Sequence, residues 1–188
     1  AASDVYKRQA EAWQVYQDSD LLFSPDAVQA SMDRMAAEIA DQLEDENPLV
    51  LCVMNGGLFL TAEITSRLNF PLQMDYLQAT RYRGDTQGSE QVSWLARPKF
   101  DLAGRNVLIL DDILDEGHTL VAITDECRRL GAASIRVAVL LKKLHERCNE
   151  AAKADFIGLE VEDRYVFGCG MDYKNYLRNL PGIYAVKE

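Results

Sequence analysis

Three largely apolar stretches, PLVLCVM (48–54), NVLILDD (106–112) and SIRVAVLL (134–141), lack the regular in-and-out alternation of a strand with one wet face. Runs this short, closed by polar or glycine-bearing segments, read as strands covered on both sides. Between them, GLFLTAEITSRLN (57–69) and HTLVAITDECRRLG (118–131) place apolar residues at helical spacing. A further helix is announced by Ser24 as N-cap, Pro25 at the first helical position and Asp26 in the first turn, with Val28, Met32, Met35, Ile39 and Leu43 on one face and an end before Pro48. PLQMDYLQATRY (71–82) and VSWLA (92–96) read as strands joined by the polar loop RGDTQGSEQ (83–91). Strands alternating with helices predict an α/β fold, a Rossmann-like parallel sheet flanked by helices.

With 188 residues, nearly half of them apolar, the chain suits a single domain, 1–188. The net charge of −10 argues against a nucleic-acid surface, which draws affinity from Lys and Arg. A small anionic ligand needs only a local positive field. Cys52, Cys127, Cys148 and Cys169 show no CxxC spacing, so they read as reduced thiols. Neither a long apolar run nor a basic-then-apolar leader is present, so the expected setting is cytoplasmic, with no membrane partner. His118 and His145 have no zinc-like spacing and add little to the reading.

In open α/β sheets, ligands sit beyond the carboxyl ends of the strands, where NGG (55–57) and DDILDEGHT (111–119) fall. Asp111 and Asp112 can accept hydrogen bonds from paired hydroxyls or hold a divalent cation through its waters. The turn Asp115, Glu116, Gly117, His118, Thr119 precedes a helix, whose positive end and backbone amides make a phosphate cradle. Asp115, Glu116 and Thr119 are also ordinary helix-start residues, and acidic side chains there stabilise by roughly 0.3–1 kcal/mol each without any ligand. That second reading leaves Asp111 and Asp112 unexplained. No P-loop and no dinucleotide glycine motif occurs. Hydroxyls beside a phosphate describe a ribose 5-phosphate.

VLILDDILDEGHTL (107–120) resembles the phosphoribosyl-pyrophosphate motif of the type I phosphoribosyltransferases. From about residue 24 onward the chain is similar to their bacterial hypoxanthine-guanine branch. VMNGGL matches its pyrophosphate loop, ATRYRGD its long closing loop, LLKK the strand with the base-reading lysine, and DRYVFGCGMDYKNYLRNLPGIYAV its purine-binding segment. The resemblance implies a 6-oxopurine displacing pyrophosphate from phosphoribosyl pyrophosphate with Mg²⁺ on the diphosphate, giving IMP or GMP from hypoxanthine or guanine. It also implies a homodimer or homotetramer.

Residue by residue, the resemblance makes Asp115 the general base, and Asp111 and Asp112 the acids on the ribose hydroxyls and the metal shell. Glu116, Gly117, His118 and Thr119 form the 5′-phosphate loop. Asn55 and Gly56 belong to the pyrophosphate loop, and Arg81 and Tyr82 to the closing loop. Lys143 would read the purine O6, with Lys142 its one-residue alternative. Tyr165 would stack on the base, and the Val166 backbone and Asp172 would meet its other edge. Asp172 would also be a Mg²⁺ ligand, and Arg178 would reach the pyrophosphate. Residues 165–188 would form a small hood together with the N-terminal extension 1–23, which has a helical look and is open to packing on the hood or on a neighbour. Two departures stand out. Asn55 replaces a basic residue common in the family, and Arg81 stands where a serine is common, so Arg81 is a candidate for the missing charge. A xanthine-preferring transferase and a nucleotide-binding regulator of the same fold remain alternatives; the acidic charge argues against the regulator.

Overall fold

The computed structural model describes residues 2–82 and 91–187. Helix α1 (Ala2–Asp18) leads into β1 (Asp20–Phe23), followed by α2 (Pro25–Leu43), β2 (Leu49–Val53), α3 (Leu58–Thr65), β3 (Gln73–Tyr82) and β4 (Gln91–Ala96). Then come β5 (Asn106–Leu114), α4 (His118–Arg129), β6 (Ser134–Leu144), β7 (Phe156–Glu162), β8 (Val166–Phe167) and β9 (Ile183–Ala185). Among the described residues no helix is long and apolar enough to cross a membrane.

The main sheet has the order β4-β3-β2-β5-β6-β7. All its neighbouring pairs are parallel except the edge pair β3–β4. All of β2 is buried, as the unbroken apolar run requires. Leu49, Leu51, Val53, Val107 and Ile109 pack with Leu120, Ile123 and Cys127 of α4. Val50, Leu108 and Leu110 pack with Met32, Met35 and Ile39 of α2 and with Leu60 and Ile64 of α3. Each such side chain contributes roughly 1.5–3 kcal/mol on burial, which fixes the helices to opposite faces of the sheet. From β2 the chain moves outward to β3 on one side and, later, to β5, β6 and β7 on the other. The order therefore reverses between β2 and β5, and their carboxyl ends open a crevice.

Local chemistry sets the helix limits. Ser24 Oγ accepts from the Ala27 N–H at 3.2 Å and caps α2. Beyond α4, Gly131 takes φ 83°, and Ala132 N–H returns to Cys127 O at 3.1 Å, a left-handed stop.

Three features depart from the sequence reading. Strand β5 runs two residues past the paired aspartates, to Leu114, because its ladder with β6 continues as far as the Leu114–Lys142 pair. Strand β7, unassigned in the sequence, closes the sheet edge; its Gly158 packs against the Leu140 carbonyl, where a Cβ would stand 2.6 Å away. Residues 20–23, inside the helical-looking extension, form β1, which pairs with β9 in a separate antiparallel sheet β1-β9-β8.

Helix α1 lies on this smaller sheet. Tyr16 meets Tyr184 edge-on at 5.0 Å, and Tyr184 stacks on Phe167 at 5.7 Å. Glu11 accepts hydrogen bonds from the Tyr173 hydroxyl at 2.9 Å and from Lys174 at 2.6 Å. The small sheet and its helix thus form a hood beside the carboxyl end of the main sheet.

Candidate active site

A cavity of about 480 Å³ lies at the crevice, walled by Asn55 and Gly56, the end of β5, the turn leading into α4, and Arg178. Glycines allow its walls to approach. A Cβ on Gly56 would overlap the Asp112 carboxylate, and one on Gly170 would overlap the Gly56 carbonyl. Gly117 takes φ 79°, and a Cβ there would overlap Ala152. The chain can therefore turn sharply into α4, with Gly117, His118 and Thr119 lining the cavity at the positive helix end.

Asp111 and Asp112 stand side by side on the floor, with Asp112 N–H donating to Asp111 Oδ1 at 2.9 Å. Burial, reinforced by the Asp112 charge, pushes Asp111 well above the ordinary carboxylate range. Burial also raises Asp112, against the pull of a hydrogen bond with the Asp111 carboxyl group and of the Arg178 charge. Arg178 is 3.9 Å from Asp112 and 2.8 Å from Asp172, and its Nη1 donates to Gly170 O at 2.6 Å. The second Asp172 oxygen accepts Asn175 N–H at 2.7 Å. Asp111, Asp112 and Asp172 do not converge on one point as a closed cation cage.

A smaller cavity of about 260 Å³ adjoins the first and shares Asp112, Ile113 and Asp115 with it. Lys143, Tyr165, Val166 and Asp172 complete its lining. Lys143 is 12% exposed and donates to Asp115 Oδ2 at 2.8 Å. Lys142, on the opposite side of β6, faces Glu160 at 3.9 Å. Tyr165 is 53% exposed, its hydroxyl donating to Asp172 O at 3.3 Å and its ring edge-on to Tyr173 at 5.7 Å. Val166 is buried, and β8 pairs it with Ala185. Asp115 therefore stands on the wall between the two cavities, within reach of ligands in both.

A family model for the phosphoribosyl transferase domain matches residues 22–174. The chain belongs to the phosphoribosyltransferase family. It is 34% identical over 167 residues to the hypoxanthine-guanine phosphoribosyltransferase of Bacillus subtilis (strain 168), covering 89% of this chain and 92% of the relative. To the hypoxanthine-guanine-xanthine phosphoribosyltransferase of Tritrichomonas foetus it is 32% identical over 168 residues, covering 89% and 91%. A solved hypoxanthine-guanine-xanthine phosphoribosyltransferase superposes with a TM-score of 0.83 at 30% identity, covering 92% of this chain and 99% of the other.

In this phosphoribosyltransferase the side chains of Arg81 and Tyr82, and the loop 83–90 after them, lie outside the described residues. Asn55 is exposed at the cavity rim. One residue set aside in the sequence belongs with the site: His145, only 5% exposed, places Nε2 2.6 Å from Asp115 Oδ1. It lies just past the end of β6, so its partner thirty positions away is invisible to motif spacing. The sole signal was its nearness to LLKK. Asp163 joins the same group, 3.8 Å from Lys143 and 2.7 Å from Arg147.

Proposed function

We propose that this phosphoribosyltransferase moves the 5-phosphoribosyl group from phosphoribosyl pyrophosphate to hypoxanthine or guanine, giving IMP or GMP and pyrophosphate, in purine salvage. The observation that carries the reading is the Lys143–Asp115 pair, 2.8 Å apart on the wall between two adjoining cavities. One cavity has the acids and the helix start that suit a ribose phosphate and diphosphate; the other has an aromatic ring and an ammonium that suit an oxopurine. The names of the relatives support the same chemistry.

In the proposed reaction purine N9 forms the bond to the anomeric carbon as that carbon's bond to the pyrophosphate oxygen breaks. The proton on N7 passes to Asp115. Lys143, leaving Asp115, donates to the purine O6; a 6-amino group would offer it only another donor. Tyr165 covers the ring, and Gly117, His118 and Thr119 hold the 5′-phosphate. Arg178 meets the diphosphate.

Mg²⁺ fits the donor set. Two raised, adjacent carboxylates on a cavity floor gain from a cation or its water shell, and their lack of a closed cage leaves coordination positions for phosphate oxygens. Asp111, Asp112 and Asp172 would hold it, and it would neutralise charge on the leaving diphosphate. Self-association as a homodimer or homotetramer belongs to this reading, supported by Met74, Tyr76 and Leu95, exposed on β3 and β4.

The relatives named for xanthine as well favour one extension, acceptance of xanthine as a third base. A spectrophotometric assay with phosphoribosyl pyrophosphate, Mg²⁺ and each of hypoxanthine, guanine, xanthine and adenine tests both readings. Turnover with the first two and none with adenine is expected. Turnover with adenine, or with no purine, overturns the proposal.

A further inference from the structure

Asp115 has two oxygens and two partners: Lys143 on Oδ2 at 2.8 Å and His145 on Oδ1 at 2.6 Å. The histidine ring is itself oriented. Its Nδ1 accepts the backbone N–H of Arg147 at 3.1 Å, so the ring proton stands on Nε2 and is donated to Asp115. The Arg147 side chain closes the circuit, reaching Asp163 at 2.7 Å, and Asp163 lies 3.8 Å from Lys143. Asp115, His145 and Asp163 also bring potential ligand atoms within 4.8 Å of one another. The Lys143 ammonium, close to both carboxylates, already supplies the positive charge there, so the cluster reads as a hydrogen-bonded brace and not as a cation site.

We propose that His145 is a positioning residue for Asp115, holding Oδ1 so that Oδ2 alone meets the purine proton once Lys143 turns to the base. This rests on the transfer reaction proposed above. The reasoning is geometric. A carboxylate that loses one of two partners at the moment of reaction needs the other to keep its plane fixed, since small misplacement of a reacting group costs up to about a hundred-fold in rate. His145, nearly buried and with both ring nitrogens committed, is that second partner. A hydrogen bond of this kind, made to a reacting group from behind, sets both its orientation and its basicity.

Charge acts in the same direction. Burial pushes Asp115 up, but hydrogen bonds from Lys143 and His145 outweigh it and hold the carboxylate below its ordinary range. The charged groups around the pair are Lys143 on β6, Arg147 after it, Asp163 after β7, and Glu116 beside Asp115 in the turn. Removing the His145 donor therefore weakens the ionised form of Asp115, and the acid limb of the kcat profile moves to higher pH.

The test compares His145→Phe, which keeps a ring and loses both hydrogen bonds, with His145→Gln, which keeps a donor near the Nε2 position. The phenylalanine variant is expected to lose kcat by roughly ten- to a hundred-fold with KM for phosphoribosyl pyrophosphate nearly unchanged, and to shift its acid limb upward. The glutamine variant should recover most of both. A folded His145→Phe with wild-type kcat and an unmoved acid limb overturns the proposal. A second measurement needs no variant: the chain has two histidines, so long-range ¹H–¹⁵N spectra of the intact protein assign their tautomers readily. His145 should carry its proton on Nε2 near neutral pH, and a proton on Nδ1 overturns the assignment. Carboxyl ¹³C titration of Asp115 in wild type and His145→Phe, without substrate, keeps the two readings apart. If no purine reacts with the wild type, the transfer reading fails, and an Asp115 titration insensitive to His145 is what refutes the brace.

Discussion

One guanidinium, that of Arg178, stands 2.8 Å from Asp172 and 3.9 Å from Asp112, tying the hood to the strand end that carries the paired acids. Replacing it with glutamine leaves both carboxylates without their cation and removes a contact for the diphosphate. Arg178→Gln is expected to weaken phosphoribosyl pyrophosphate binding by roughly ten- to a hundred-fold, the range for a charge-assisted hydrogen bond. Calorimetric titration with and without Mg²⁺ reads this loss. In wild type, the metal should raise diphosphate affinity by the same factor that the diphosphate raises metal affinity. Equal affinity with and without Mg²⁺ would mean that Asp111 and Asp112 serve the ribose hydroxyls alone.

Gly56 gives a sharper steric test, because a methyl group there would overlap the Asp112 carboxylate. Gly56→Ala must move either the loop or the acid. The expected outcome is a folded protein with thermal stability reduced by about 1–3 kcal/mol, in the overpacking range, and a raised Kd for phosphoribosyl pyrophosphate. Wild-type affinity in a folded variant would show that Asp112 does not contact that ligand.

Lys143 and Lys142 are neighbours on β6 with opposite outlooks, one toward Asp115 and the other toward Glu160. Lys143→Gln should raise KM for hypoxanthine and guanine about ten-fold or more while leaving the Kd of phosphoribosyl pyrophosphate nearly unchanged. Lys142→Gln should change neither. Steady-state kinetics of the two variants would reverse the assignment if Lys142 gave the selective loss.

On the far face of α4, Glu126 is paired with Arg129 at 2.8 Å and with Arg97 beyond β4. The hydrogen bond from Arg129, against slight burial and aided by Arg97, holds Glu126 down to about 2 from an ordinary 4.5. A depressed carboxylate adds stability above its unfolded value, and this is lost as pH falls through the folded one. Both arginines are more than half exposed, so the gain is screened to about 1 kcal/mol or less. Glu126→Gln should therefore destabilise slightly at pH 7, with the difference from wild type shrinking between pH 4.5 and about 2 in thermal melts. A difference that grew on acidification would contradict the pairing.

How far the sequence could be read depended on how local each determinant was. Val50, Leu108 and Leu110 announced a sheet buried on both faces, and Ser24 with Pro25 marked the start of α2, because these signals lie within a few residues of what they specify. Residues 111–119 disclosed a strand end and a helix start for the same reason. Strand β1 could not be seen, since four residues become a strand only beside Ile183–Ala185. Strand β7 hid behind Gly158, whose missing side chain serves close packing on Leu140 and weakens the strand signal. His145 escaped because its meaning comes from Asp115, across the gap between β5 and β6.

The pairing of β1 with β9 joins Asp20 to Ala185, nearly the whole chain apart. Closing so long a loop is entropically expensive and gains nothing until the intervening sheet has condensed. Hood assembly is therefore expected late in refolding: pulse-labelled hydrogen exchange should show protection of β2 and β5 before that of β1 and β9, and simultaneous protection would contradict it.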